Sequence, residues 1–410
     1  MGYLELDLTL SDEAKAMQET VKKFAMEVMR PVGIKLDKMD PEAVIAKDSP
    51  LWDVIRTSRE LGIHKRGIPK AFGGLLEDMD PKAGPLMAEM MGYGDAGLTI
   101  SLGVSGFPMT FAMMSPEAEL QDLVRAYCED TKGEIIGCWA ITEPDHGSDW
   151  ILGTNPKFDD PRCAPSVRAV LKGDEYIITG QKSAWVSNGT IATHACLHVC
   201  LDPSKGMQGG GLAVIPLDLP GIRRGKPLDK IGQRALNQGE IFFDEVKLPK
   251  KYMIITDGAM MSAVAKMILT NANGGMGQVF VGLAQAAFDE ALKYAKERIQ
   301  GGVPIFEHKN IKLQLFNMFI KIEAARAFAR RMSAYNQAMA PNGSAAHAIA
   351  SKVLSTNTAF EVANEAISIF GGVGLTKEYL IEKLFRDARA AMIEDGENNA
   401  LSLSGAEDLI

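Results

Sequence analysis

Met17, Val21, Phe24 and Val28 recur three and four residues apart, the spacing of one apolar helix face. Ser11, followed by Asp12 and Glu13, supplies an N-cap with acids in the first turn, and Pro31 is expected to end the run. Further stretches of helical period lie around 50–62, 82–93 and 116–129. Gly73-Gly74 marks a turn between two of them, and Ser115-Pro116 reads as an N-cap with Pro at the first helical position. Near residue 136 the texture changes to strict alternation. Val167, Ala169 and Leu171 share one face, Gly173-Asp174 turns the chain, and 175–179 alternates back, which predicts a hairpin. Short strands follow at 193–200, 211–217 and 240–247. From Asp257 the helical period returns, with helices over about 258–298, 307–338, 343–369 and 377–393. Gly301-Gly302, Pro341-Asn342-Gly343 and Gly371-Gly372-Val373-Gly374 break them apart. This order predicts an α+β multidomain chain, with helices over 1–135, a β module over 136–250 and helices again over 251–410.

Composition narrows the class without naming a chemistry. The 410 residues are 46% hydrophobic and 23% charged, ordinary for a globular protein of two or three domains. A formal net charge of −8 argues against a nucleic-acid or anionic-membrane partner, both of which need a dense basic face. No apolar run reaches the roughly 18–20 residues of a membrane span. Met1-Gly2-Tyr3-Leu4-Glu5-Leu6 has neither a basic leader nor a myristoylation pattern, so a cytoplasmic location is expected. Cys128, Cys138, Cys163, Cys196 and Cys200 are odd in number and irregularly spaced, which suits free thiols. The 22 methionines suit adaptable packing, as core filler or around an apolar ligand.

Four motifs carry candidate chemistry. His194, Cys196, His198 and Cys200 alternate on one strand face, and each is a zinc-ligand type. Same-face neighbours stand about 6.5–7 Å apart, so the outer pair spreads over roughly 20 Å and cannot close on one ion. No metal is expected. Gly371-Gly372-Val373-Gly374 sits between helices and not after a strand, which excludes a Rossmann or P-loop reading. The densest stretch is Ala140-Ile141-Thr142-Glu143-Pro144-Asp145-His146-Gly147-Ser148-Asp149. Its hydroxyls and backbone N–H groups suit a polar ring edge and a pyrophosphate, or simply a tight polar loop. Trp185-Val186-Ser187-Asn188-Gly189 adds a flat wall beside a hydroxyl, as a bound isoalloxazine needs.

Taken together these segments resemble the acyl-CoA dehydrogenase superfamily. The likeness runs through Gly180-Gln181-Lys182, Ile231-Gly232-Gln233-Arg234 and Ile241-Phe242-Phe243-Asp244-Glu245. It continues through Glu297-Arg298, Glu307-His308 and Phe370–Gly374 to Arg386-Asp387-Ala388, nearly the whole chain. The resemblance implies an N-terminal helical domain, a middle β-barrel and a C-terminal four-helix bundle. It also implies FAD, an acyl-CoA substrate, an electron-transfer flavoprotein as acceptor, and a homodimer or homotetramer. Trp139, Ala140, Ile141 and Thr142 would line the flavin ring, Gly147 and Ser148 would meet its pyrophosphate, Trp185 and Val186 would wall the ring, and Ser187 would face N5. Arg298, His308, Gly371 and Gly372 would hold the adenine half of a neighbouring subunit's FAD, with Glu397 and Asn399 in the same cofactor set. Ser148, Asn273 and Glu394 are the matching substrate positions.

The departures from the family bear on mechanism. The usual base is a Glu nine residues after the Arg of Arg-Asp-Ala; here that position is Asp395, one methylene shorter. The alternative base position on the long helix falls on Ala272 and Asn273, so that route is closed, and Asn273 also replaces a usual Arg. Ser368 and Asn399 replace glutamines that help seat the cofactor. Three readings of the short carboxylate stand side by side. One is a closer-lying cyclic, branched or substituted acyl group. Another is a nitroalkane-oxidase-like flavin oxidase, a relative with Asp at this position. The third is a 1,4-dehydrogenation of a cyclic enoyl-CoA with Asp95 as second base, against a plain helix cap at Asp95. A non-redox flavin-binding relative is the alternative outside these.

Overall fold

A computed structural model describes residues 4–152, 155–407 and 409; Met1 to Tyr3 of the N-terminal stretch read above lie outside the described residues. Ser11 Oγ accepts from Ala14 N at 3.0 Å and starts the first helix, Asp12–Phe24, as its capping pattern predicts. Pro31 does not end it. A π-helical turn, Ala25–Met29, leads directly into Arg30–Asp37, so the helical path continues past the proline. The wider turn absorbs the missing proline N–H and the ring that would strike the preceding carbonyls. The helices Leu51–Glu60, Ala83–Gly94 and Ala118–Glu129 follow the sequence pattern. The last begins at Ala118 without a side-chain cap: Ser115 Oγ instead accepts from Glu117 N, one turn early.

The middle of the chain is an eight-stranded sheet among the described residues. Its strands are β1 (Gly137–Ala140), β2 (Arg168–Lys172), β3 (Glu175–Lys182), β4 (His194–Cys200), β5 (Gly210–Pro216), β6 (Ile222–Arg224), β7 (Ile241–Pro249) and β8 (Met253–Ile255). The order is β6-β7-β3-β2-β4-β5-β8, with β1 added in parallel along β4. The expected hairpin is β2–β3, antiparallel, with Lys172 opposite Glu175. On β4, His198 takes a hydrogen bond from Trp139, Cys200 one from Arg168, and Cys196 packs in the interior. Among the described residues no group of His, Cys, Asp and Glu is clustered to hold a metal.

The remaining helices are Gly258–Glu297, Lys309–Ala338, Ala345–Phe370, Ile381–Ala391 and Asn398–Glu407. Alanines 284, 287, 291, 295, 359, 363 and 366 are fully buried where the long helices meet, and small side chains let them approach. Closer still is the contact between Ala83–Gly94 and the 40-residue helix. A Cβ on Gly92 would stand 2.0 Å from the Val279 carbonyl, and one on Gly282 would stand 2.0 Å from the Glu89 carbonyl. Only glycine fits at these two crossing points. Among the described residues no helix is long and apolar enough to cross a membrane.

Candidate active site

Two cavities open where the helices meet the sheet. The larger, about 600 Å³, is walled by Trp139, Ile141, Thr142, Gly147, Ser148, Trp150, Trp185, Ser187, His198 and the turn Ile393–Gly396, among others. The smaller, about 350 Å³, lies between the N-terminal helices and the long helix, against Met91, Thr99, Ala272 and Met276. Asp395 and Trp139 line both.

A buried ion pair positions the loop that follows β1. Lys182 Nζ donates to Glu143 Oε1 at 2.7 Å and to the Ile141 carbonyl at 3.0 Å, and both charged side chains are wholly buried. Burial pulls the Lys182 ammonium down to about 8, against the opposing charge of Glu143. Glu143 also accepts from the N–H groups of Ser166 and Val167. Thr142 is tied through its carbonyl to Ser183 N at 2.9 Å. Ile141, Thr142 and Gly147 are thus held at the cavity wall by a network that does not itself enter the cavity.

Trp139 stacks on Phe107 with ring centres 5.1 Å apart, and its Nε1–H donates to His198 Nε2 at 3.0 Å. Burial, helped by the charge on Lys182, pulls His198 down to about 3, so the ring is neutral and its proton sits on Nδ1. That Nδ1 and Trp150 Nε1 are buried without a hydrogen-bond partner. Two orphaned donors, the open space where a Cβ on Gly147 would stand, and the broad face of Trp185, 58% exposed, fit a large flat ligand with hydrogen-bond acceptors. FAD has that shape and chemistry. Sequence reasoning considered His198 only as a metal ligand and missed Trp150; their proximity, with rings 5.6 Å apart, arises only on folding.

Asp395 stands in the left-handed backbone region at φ 50°, in the turn between the last two helices. Its carboxylate makes no hydrogen bond among the described residues. Burial raises its pKa, and the Lys352 ammonium pulls the other way. Its neighbour Glu394 accepts from Gln233 Nε2 and is pushed up to about 7, by burial first and then by the charge on Asp395. Ser148 Oγ accepts from Glu397 N at 3.1 Å, joining the β-domain loop to this turn.

Several expected site residues lie elsewhere. Asp95 is not a cavity group. One oxygen caps a helix by accepting from Leu98 N at 2.9 Å, and the other takes Lys383 Nζ at 2.7 Å. Lys383 bridges onward to Asp387 at 2.5 Å, closing a buried triad in which Asp95 is the helix cap that the sequence also allowed. Asn273 is fully buried in the bundle, bonds back to the Leu269 carbonyl at 2.8 Å, leaves its Oδ1 without a partner and lines neither cavity. Ala140 and Val186 turn their side chains into the core. Glu397 and Asn399 bond to each other at the start of the last helix. Arg298 and His308 follow the long helix, and His308 Nε2 meets the Gln300 carbonyl at 3.0 Å. Stacking of Tyr294 on Phe370 at 4.1 Å brings that helix end to the exposed Gly371-Gly372 turn, outside this chain's own cavities.

Comparison with known proteins accounts for the arrangement. Residues 11–129, 138–246 and 262–410 match the N-terminal, middle and C-terminal domain models of acyl-CoA dehydrogenase. The chain is 27% identical to a cyclohex-1-ene-1-carbonyl-CoA dehydrogenase of Syntrophus aciditrophicus, over 98% of this chain and 91% of that one. It is 30% identical to a glutaryl-CoA dehydrogenase of Desulfococcus multivorans, over 98% of both chains. The solved structure of butyryl-CoA dehydrogenase from Megasphaera elsdenii superposes with a TM-score of 0.86, at 25% identity, covering 98% of this chain and 100% of that one. The helical, β-rich and helical regions are the architecture of that family, whose members are FAD-binding oxidoreductases acting on CH–CH groups. This chain belongs to the acyl-CoA dehydrogenase family.

Proposed function

We propose that Asp395 is the base that removes the α-proton of an acyl-CoA thioester. The observation that carries this is the placement of an unpartnered carboxylate where the two cavities join. A base must reach the proton it takes before its pKa matters, and Asp395 is the carboxylate that both spaces share. The smaller cavity would take the acyl chain, and the larger would take the flavin and the thioester end. FAD, when bound, supplies the two-electron acceptor for the hydride that leaves the β-carbon. Trp139, Thr142, Ser148, Trp185 and Ser187 would hold it, with Trp150 and His198 as further donors. The N–H groups of Asp395 and Gly396 have no backbone acceptor among the described residues and would polarise the thioester carbonyl, making the α-proton acidic. The remaining acceptor would be an electron-transfer flavoprotein, and a second copy of the chain would complete the adenine site.

The test is anaerobic mixing of the purified holoenzyme with a panel of acyl-CoAs while flavin absorbance is followed. Bleaching by acyl-CoA is expected, and Asp395→Asn should keep FAD while slowing reduction by about 10²–10⁴-fold. Normal reduction in that variant would remove Asp395 from the base role. Bleaching by nitroalkanes alone would replace the dehydrogenase with an oxidase.

A further inference from the structure

The smaller cavity has a polar wall that proton abstraction does not use: Arg59, His64, Arg66 and Tyr127. Arg59 is 3% exposed and Tyr127 is fully buried. Arg59 Nη2 donates to Ser105 Oγ at 3.1 Å and to the Ile135 carbonyl at 2.8 Å, with its guanidinium 4.2 Å from the centre of the Tyr127 ring. The other arm, Nη1, is buried with no acceptor, and so are Arg66 Nη1 and the Tyr127 hydroxyl. Among the described residues neither arginine is ion-paired with a carboxylate. His64 is set apart. Its Nε2 lies 3.3 Å from the Cys128 carbonyl and is the protonated nitrogen. Burial first, and then the charge on Arg59, pulls its pKa down to about 4, so the ring stays neutral and the positive charge of this wall belongs to the arginines.

The carboxylate whose charge acts on Arg59 is Asp130, which makes no ion pair with it among the described residues, so the buried arms Arg59 Nη1 and Arg66 Nη1 and the Tyr127 hydroxyl are left without acceptors. Buried donors of this kind are costly unless something completes them. A carboxylate is the matching group: two oxygens with about four acceptor positions, suited to guanidinium N–H groups. The thioester carbonyl is not free to serve, because its neighbouring α-carbon has to reach Asp395 at the junction. The anion therefore belongs at the far end of the acyl group.

We propose that Arg59, Arg66 and Tyr127 form a carboxylate-binding subsite, and that the acyl group ends in a second, free carboxylate. The proposal rests on the dehydrogenase reading, since it takes Asp395 to mark the position of the α-carbon. The test uses matched thioesters, pentanoyl-CoA against glutaryl-CoA and hexanoyl-CoA against adipyl-CoA. Dissociation constants come from the flavin absorbance shift in the Asp395→Asn holoenzyme, and reduction rates from the parent. The carboxylated member of at least one pair should bind about tenfold tighter or more, and that ratio should fall toward one in Arg66→Met and in Arg59→Met. Arg59 also braces Ser105 and Ile135, so Arg59→Lys, which keeps the charge and loses the fork, is the variant to read if Arg59→Met does not fold. Equal binding within both pairs, or a ratio untouched by the arginine variants, overturns the subsite. Bleaching by the apolar thioesters with no carboxylate preference would sink the subsite and leave the dehydrogenase standing. A carboxylate preference in binding, with no bleaching by any thioester, would do the reverse.

Discussion

Lys352 Nζ, wholly buried, donates at 2.7 Å to the carbonyl of Gly396, the residue after Asp395. A second bond, 2.8 Å to Asn398 Oδ1, ties the same ammonium to the start of the last helix. One positive charge holds the Asp395 turn from behind and pulls the Asp395 carboxyl down against the burial that raises it. In Lys352→Met that pull is gone, so the Asp395 pKa rises. A carboxylate in the proposed role of base acts only when ionised, so the acidic limb of the pH–rate profile for flavin reduction should move up by about one unit. An unmoved limb in a folded variant would mark Lys352 as a strut without electrostatic effect.

Glu394 gives a second pH signature, this time in stability. Its pKa is raised from 4.5 to about 7 in the fold, so the folded chain holds the proton more tightly than the unfolded chain does. The stabilisation is complete below the unfolded value and is lost as pH rises toward 7. Glu394→Gln keeps an acceptor for Gln233 and removes the titration. Its Tm, relative to the parent, should climb between pH 4.5 and 7 and level off above. A difference flat across that window would show that Glu394 does not titrate there.

The Asp95–Lys383–Asp387 triad predicts a separation of stability from chemistry. Lys383→Met leaves two buried carboxylates without their cation and should destabilise the fold by about 3–5 kcal/mol. Asp95→Asn keeps the shape of the cap and should lower Tm while leaving the flavin reduction rate within about twofold. A loss of reduction rate on the scale of Asp395→Asn would put Asp95 back into the reaction.

Gly92→Ala sets a methyl carbon against the Val279 carbonyl in the centre of the helix crossing. Backbone on both sides leaves no side chain to move aside. Overpacking of this kind costs about 1–3 kcal/mol or more. Denaturant unfolding should show the midpoint falling; an unchanged midpoint would mean that the crossing is looser than these contacts.

The helix Lys309–Ala338 was legible because it buries one face and shows the other to water, and the β2–β3 hairpin because a Gly173-Asp174 turn joins two short alternating runs. The helices Ala96–Val104 and Phe107–Ala112 were not, because they are apolar nearly all round and carry no period. The strands β1, β6 and β8 run for only three or four residues, too short for alternation to register. At the site, Asp395 was found through its offset from Arg386-Asp387-Ala388. For Asp95 the helix-cap reading is the one the structure shows, and Asn273 lines neither cavity, because sequence position does not say which way a side chain turns. Arg59, Arg66 and Tyr127 carried no signal at all, since their shared cavity exists only once distant segments have packed.

Ile100, Val104, Trp139 and Asp395 each face both cavities. Any change of volume at these four positions alters both cavities at once, so on the proposed assignment selection for a new acyl group through them is coupled to cofactor retention. Met91, Thr110 and Met276 border the smaller cavity alone. On that assignment substrate range is free to drift along one wall and is locked along the other, and a designer reshaping specificity has independent variables only on the first.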